Sequence, residues 1–147
     1  HLTVQFLGSA SHEKVAEIRK EVENVVCSIN PFVLTVSETG CFPNKSKPSV
    51  LYLGVGGNIE ALKALVVKIN DKMSQIGFKK DSESFIPHIT VAKINYPQKF
   101  NPDLSIFLNS TYDEVEFSVD KIQLLESKTL TEGVVYETLN TFSFLEK

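Results

Sequence analysis

Apolar and polar residues alternate from the first position of the chain. Leu2, Val4 and Phe6 interleave with His1, Thr3 and Gln5, the period of a strand, and Gly8 closes the run. Across residues 11–29 the period changes. Val15, Ile18, Val22, Val25, Val26 and Ile29 recur at helical spacing with Glu and Lys between them. Ser11 is placed to cap that helix and Pro31 to prevent its continuation. Alternation returns over 32–38. A loop rich in Gly, Pro, Asn, Lys and Ser follows over 40–49, then a buried strand over 50–55. Asn58 caps a second helix with the stripe Leu62, Leu65, Val66, Ile69, Met73 and Ile76, and Gly77 stops it. Residues 78–87 read as loop and 88–94 as strand. Asn101 and Pro102 open a short helix reaching Leu108, with Pro at the first helical position. Three strand-like runs close the chain, at 114–119, 120–126 and 134–145. A turn around 131–133 joins the last two as a hairpin.

No linker or low-complexity segment interrupts this order, so residues 1–147 are expected to form one domain. Mixed strands and helices with hairpin connections point to an α+β fold whose helices cover sheet faces. The composition, 42% hydrophobic and 22% charged, is that of a globular chain. A net charge of -3 argues against a broad basic face for nucleic acid, but leaves room for a small pocket that reads one phosphate. No apolar run approaches the roughly 18–20 residues of a membrane helix. Cys27 and Cys41 lack metal-ligand or CxxC spacing and read as reduced thiols of a cytoplasmic protein.

The candidate chemistry lies in a repeat. His1-Leu2-Thr3-Val4 and His88-Ile89-Thr90-Val91 share one pattern, a coincidence on the order of one in a hundred thousand at ordinary residue frequencies. On a strand, residues i and i+2 share a face, so each His stands beside its own Thr while Leu2, Val4, Ile89 and Val91 face a core. Gln5 and Ala92 continue the polar faces. Two imidazoles can serve as one neutral base and one charged acid near neutral pH. Two threonine hydroxyls can donate to phosphate oxygens. Together they suit acid–base cleavage of a phosphodiester without a metal. A metal site is not indicated, since no HExxH is present, no carboxylate stands at i+4, and Thr is a poor ligand for soft metals. No cofactor is expected. His12, without a partner in phase, reads as a solvated residue at a helix start.

The runs HLTVQFLG (1–8) and PHITVAK (87–93) resemble the paired signatures of the 2H phosphoesterase superfamily. CFPNKSKPSVLYLGV (41–55) and ESKTLTEGVVYETL (126–139) are similar to one branch of it, the RNA 2′,3′-cyclic phosphodiesterases, also called 2′-5′ RNA ligases. The resemblance implies a bilobal α+β fold, with two antiparallel-rich sheets and outer helices around a central cleft, and pseudo-two-fold symmetry. It implies metal-independent hydrolysis of a 2′,3′-cyclic phosphate, on an RNA 3′ end or a small nucleotide, to a 2′-phosphate. Carried over by position, His1 is the proton donor, His88 the proton acceptor, and Thr3 and Thr90 hold the phosphate. Related activities on the same acid–base pair are 2′-5′ phosphodiester cleavage or ligation and hydrolysis of other cyclic nucleotides; a binding module without turnover is a further reading. The family carries a strand and a helix ahead of its first tetrad, which this chain, opening on His1, is expected to lack.

Lys93 stands where the family often has Arg. Strict alternation from His88 puts it on the opposite face, so it reaches a phosphate only if the strand bends or ends there. Phe42, Lys45 and Lys47, in the 40–49 loop, offer a stacking ring and positive charge for substrate. Tyr52 and Tyr136 read as core or rim aromatics, and Ser127 as a hydrogen-bond donor. No membrane and no obligate protein partner is implied.

Overall fold

The computed structural model describes residues 1–80, 84–95 and 103–145. Its elements are α1 (His12–Val26), β1 (Phe32–Phe42), β2 (Val50–Gly57), α2 (Ile59–Gln75), β3 (His88–Lys93), α3 (Ser105–Leu108), β4 (Val115–Val119), β5 (Lys121–Leu130) and β6 (Gly133–Ser143). One antiparallel sheet runs in the order β3-β2-β1-β4, and β5 and β6 form a second as a hairpin. The chain crosses between sheets at Asp120, whose carbonyl accepts a hydrogen bond from Phe144 N at 2.7 Å.

Both long helices begin where the sequence offers a cap. Ser11 Oγ accepts from Lys14 N at 3.3 Å, and Asn58 Oδ1 accepts from Ala61 N at 3.1 Å. Their apolar stripes meet in one core. Ile18, Val22, Val25 and Val26 of α1 pack with Leu62, Leu65, Val66, Ile69 and Met73 of α2. Phe32 and Leu34 of β1 supply one side of it, and Phe142 and Phe144 bring in the second sheet, with the Phe32 and Phe144 rings stacked at 6.1 Å. Gly57 makes the turn from β2 into α2. Its φ is +83°, and a Cβ there would meet Leu34 Cα at 2.8 Å, so a residue without a side chain is required.

The helices therefore occupy one face of the four-stranded sheet. Leu51, Leu53 and Val55 alternate with Val50, Tyr52 and Gly54 along β2. Val55 packs against the core and Leu51 is buried, so Val50, Tyr52 and Gly54 point to the other face.

Four expectations change. Residues 1–6 do not form a strand; Leu2 makes an isolated antiparallel bridge to Ile89, on the outer edge of β3. Regular structure needs a continuous ladder, and this segment pairs at one residue only. Residues 40–42 are strand rather than loop, because Gly40, Cys41 and Phe42 pair in register with Tyr52, Leu51 and Val50. Pairing with β2 outweighs the local turn composition. The final hairpin is longer at its tip, with β5 reaching Leu130 and β6 starting at Gly133. The short helix is the single turn Ser105–Leu108, and its expected opening at 101 and 102 lies outside the described residues.

Candidate active site

The bridge between Leu2 and Ile89 decides how the two tetrads meet. In an antiparallel pair the neighbours of bridged residues also face each other, so His1 lies across from Thr90 and Thr3 across from His88. A local two-fold axis through the bridge carries one tetrad onto the other. Leu2 packs against the core, while His1, Thr3 and Thr90 are exposed and His88 is half-buried. The four polar residues thus stand on one face of two adjacent segments, as the period-two pattern requires.

Each histidine has its own surroundings. His88 Nδ1 lies 2.7 Å from the carbonyl oxygen of Ile86. A carbonyl can only accept, so Nδ1 carries the proton and Nε2 of the neutral ring keeps a free lone pair. The ring also packs at a steep angle on two aromatics, 5.1 Å from Phe42 and 5.5 Å from Tyr52. His1 packs on Tyr136 of β6, with centroids 4.6 Å apart and planes at 71°.

A bulge re-aims the end of β3. Tyr52 pairs with Thr90 and Leu51 with Ala92, which leaves Val91 as the extra residue. Past it the phase is reversed. Ala92 falls opposite Leu51, on the core-side face, and Lys93 falls opposite Val50, on the face of His88 and Thr90. The strict alternation that set Lys93 on the far face and Ala92 on the polar face is corrected by this one residue. Phe42 pairs with Val50 from the other side, so Phe42, Val50 and Lys93 form one row across three strands. Lys45 and Lys47 lie in the exposed loop after Phe42, which is ordered by Asn44 Oδ1 accepting from Ser46 N and Lys47 N at 3.0 and 3.1 Å. Ile94 N donates to Ser49 O at 2.8 Å, tying that loop to the end of β3.

Gln5 leaves the polar row. Its side-chain oxygen and nitrogen are buried with no hydrogen-bond partner. A cavity of about 880 Å³ opens beside it and touches His1, Thr3, Gln123, Ser127 and Tyr136, but neither His88 nor Thr90. It reaches one half of the paired site only. The open face shared by both tetrads is the better place for a substrate that must touch both histidines. His12, at the first position of α1, is exposed. Among the described residues, no group of three or more His, Cys, Asp or Glu could hold a metal ion.

Sequence reasoning read Tyr52 and Tyr136 only as core or rim aromatics, and missed their contacts with the histidines and the Ile86 carbonyl. The carbonyl contact is local, and Pro87 between Ile86 and His88 was its visible signal, since proline holds the preceding residue extended. The tyrosine contacts cross between distant segments and left no local trace.

Two antiparallel sheets, outer helices and His-x-Thr-x segments related by a two-fold axis define the 2H phosphoesterase fold. The chain belongs to the 2′-5′ RNA ligase superfamily, which it matches over residues 1–130. It is 30% identical over 145 residues to the RNA 2′,3′-cyclic phosphodiesterase of Thermotoga maritima, covering 98% of this chain and 75% of that protein. It is 31% identical over 149 residues to the enzyme of the same name from Aquifex aeolicus, covering 97% and 76%. Among solved structures, TT0787 of Thermus thermophilus superposes with a TM-score of 0.79 at 23% identity, covering 98% of this chain and 77% of that one. E. coli LigT complexed with 3′-AMP superposes with a TM-score of 0.79 at 20% identity, covering 99% and 77%. Among the described residues no helix is long and apolar enough to cross a membrane.

Proposed function

We propose that this chain hydrolyses 2′,3′-cyclic phosphates on RNA 3′ ends or small nucleotides to 2′-phosphates, without a metal, by acid–base catalysis between His1 and His88. The observation that carries it is the Leu2–Ile89 bridge, which sets the two tetrads side by side with their polar residues on one face. The curated relatives named RNA 2′,3′-cyclic phosphodiesterase support the substrate class.

In this reading the Nε2 lone pair of His88, kept free by the Nδ1 contact to Ile86, takes a proton from water. The water oxygen bonds to phosphorus and the bond from phosphorus to the 3′ oxygen breaks. His1 gives its proton to that leaving oxygen, producing a 2′-phosphate and a 3′-hydroxyl. Thr3 and Thr90 donate hydrogen bonds to the non-bridging oxygens, where negative charge grows in the transition state. Lys93, on the same face, adds a cation at the phosphate. Phe42, Lys45 and Lys47 extend the surface toward the base and the next phosphate. The two-fold relation between the tetrads also favours 2′-5′ chemistry: with a 5′-hydroxyl in place of water a 2′-5′ linkage forms with the roles unchanged, and its cleavage by the 3′-hydroxyl exchanges them. Residues 1–147 act as one unit in this scheme, and the free thiols Cys27 and Cys41 suit the reducing cytoplasm.

Incubation with 2′,3′-cyclic AMP, or with an oligonucleotide ending in a cyclic phosphate, tests the proposal in the presence of EDTA. A 2′-phosphate product is expected, with a bell-shaped pH profile. His88→Ala is expected to slow turnover by at least about a hundredfold. Activity abolished by EDTA overturns the metal-free reading, and near-normal turnover in the His88 variant removes that residue from the mechanism.

A further inference from the structure

The two histidines are each backed by a tyrosine, and the tyrosines are exchanged between the halves of the chain. Tyr52 lies in the half that follows His1 yet packs on His88; Tyr136 lies in the half that follows His88 yet packs on His1. Both come from the second strand of a hairpin, β2 after β1 and β6 after β5. Both have a small residue opposite them, Gly40 across from Tyr52 and Ser127 across from Tyr136. At Gly40 the fit is extreme, since a Cβ there would lie 2.3 Å from Tyr52 Cζ. The ring lies over bare backbone, and Phe42 stacks on it at 4.4 Å.

We propose that Tyr52 and Tyr136 are positioning residues, each holding the catalytic histidine of the opposite half at its working angle. This rests on the acid–base reading of His1 and His88. Perpendicular ring pairs set the positive edge of one ring against the negative face of the other, which favours one orientation over free rotation. His88 is held at two points, by the Ile86 carbonyl at Nδ1 and by the Tyr52–Phe42 wall beside its ring. His1 has Tyr136. The exchange also makes each half of the chain incomplete without the other, because neither tetrad brings its own wall.

The role differs from substrate binding in what a truncation changes. A misplaced acid or base slows the chemical step, whereas a lost stacking platform weakens substrate. Tyr52→Leu and Tyr136→Leu are each expected to lower kcat by about tenfold to a hundredfold while KM stays within about twofold. Tyr52→Phe and Tyr136→Phe keep the ring and are expected to restore kcat. Gly40→Ala leaves the Tyr52 ring intact but displaces it, and is expected to lower kcat as Tyr52→Leu does; combining the two substitutions is expected to be no worse than Tyr52→Leu alone. In the folded protein, the histidine ring-proton resonances of His88 shift in Tyr52→Leu and those of His1 in Tyr136→Leu, each without the other.

A loss confined to KM would assign the rings to the substrate surface and overturn the proposal. Unchanged kinetics, or histidine resonances that do not move, would overturn it as well. Failure of the acid–base reading is seen separately, as normal turnover in His88→Ala, while the resonance shifts report the ring contacts whatever the chemistry.

Discussion

Leu2 and Ile89 face each other across a single antiparallel bridge, and that apolar pair sets His1 opposite Thr90 and Thr3 opposite His88. The proposed site therefore depends on core-facing residues for its geometry. Its polar members need only project from the other face.

In the proposed reading, the two-fold relation makes the threonines equivalent partners of one phosphate. Thr3→Ala and Thr90→Ala should each reduce kcat/KM by roughly tenfold to a hundredfold, the worth of a hydrogen bond to a charged group. Steady-state rates on 2′,3′-cyclic AMP check this. An effect of one substitution without the other would mean that the phosphate sits off the axis.

The bulge at Val91 is what turns Lys93 onto the face of His88 and Thr90, where the proposed phosphate lies. Lys93→Ala should raise KM several-fold, and Lys93→Arg should retain a cation and most of the affinity. Deleting Val91 removes the extra residue but leaves Ala92 opposite Leu51 and Lys93 opposite Val50, so the deletion should keep most of the affinity that Lys93→Ala loses.

Met73 is fully buried between α1, α2 and the sheet, at 0% exposure. Met73→Ala removes most of a side chain from a closed core and should cost about 2–5 kcal/mol of stability. Urea unfolding followed by dichroism measures it.

On the hairpin, Lys128 donates a hydrogen bond to Glu137 and also lies near Glu126. That hydrogen bond, with the charge of Lys128, holds the Glu137 carboxyl below its ordinary range, and the same bond raises Lys128 above its own. A depressed carboxylate stabilises the fold above its unfolded pKa of about 4.3 and loses that contribution as the pH falls through the folded value. The raised ammonium contributes below about 10.4 and loses its part as the pH rises through its folded value. Both groups are exposed, so the effect is small. The melting-temperature difference between wild type and Glu137→Gln should be present at neutral pH and shrink on acidification. A carbon-detected titration of Glu137 should show a midpoint below that of a free glutamate.

Much of this was legible in the chain. The two long helices, their caps Ser11 and Asn58, and the stripe from Leu62 to Met73 follow from local spacing, because a helix closes its hydrogen bonds within itself. The strand at His88–Lys93 and the closing hairpin were visible in alternation and turn residues. The segment at residues 1–6 shows the limit. Its pattern is a strand's, but a strand is completed by partners, and here Leu2 alone is paired. Phe42 shows the converse, since its turn-like surroundings gave way to pairing with Val50.

By itself the sequence determined which residue types share a face: His with Thr in each tetrad, and Leu2 and Ile89 behind them. That follows from the two-residue period of extended chain and needs no partner. Tertiary structure decided how the faces combine. It chose the antiparallel bridge that crosses the tetrads, inserted Val91 to reverse the phase of Lys93, and brought Tyr52 and Tyr136 to the histidines of the opposite halves. Those are contacts between residues far apart in the chain, fixed by register and by the shared core, and no local pattern encodes register.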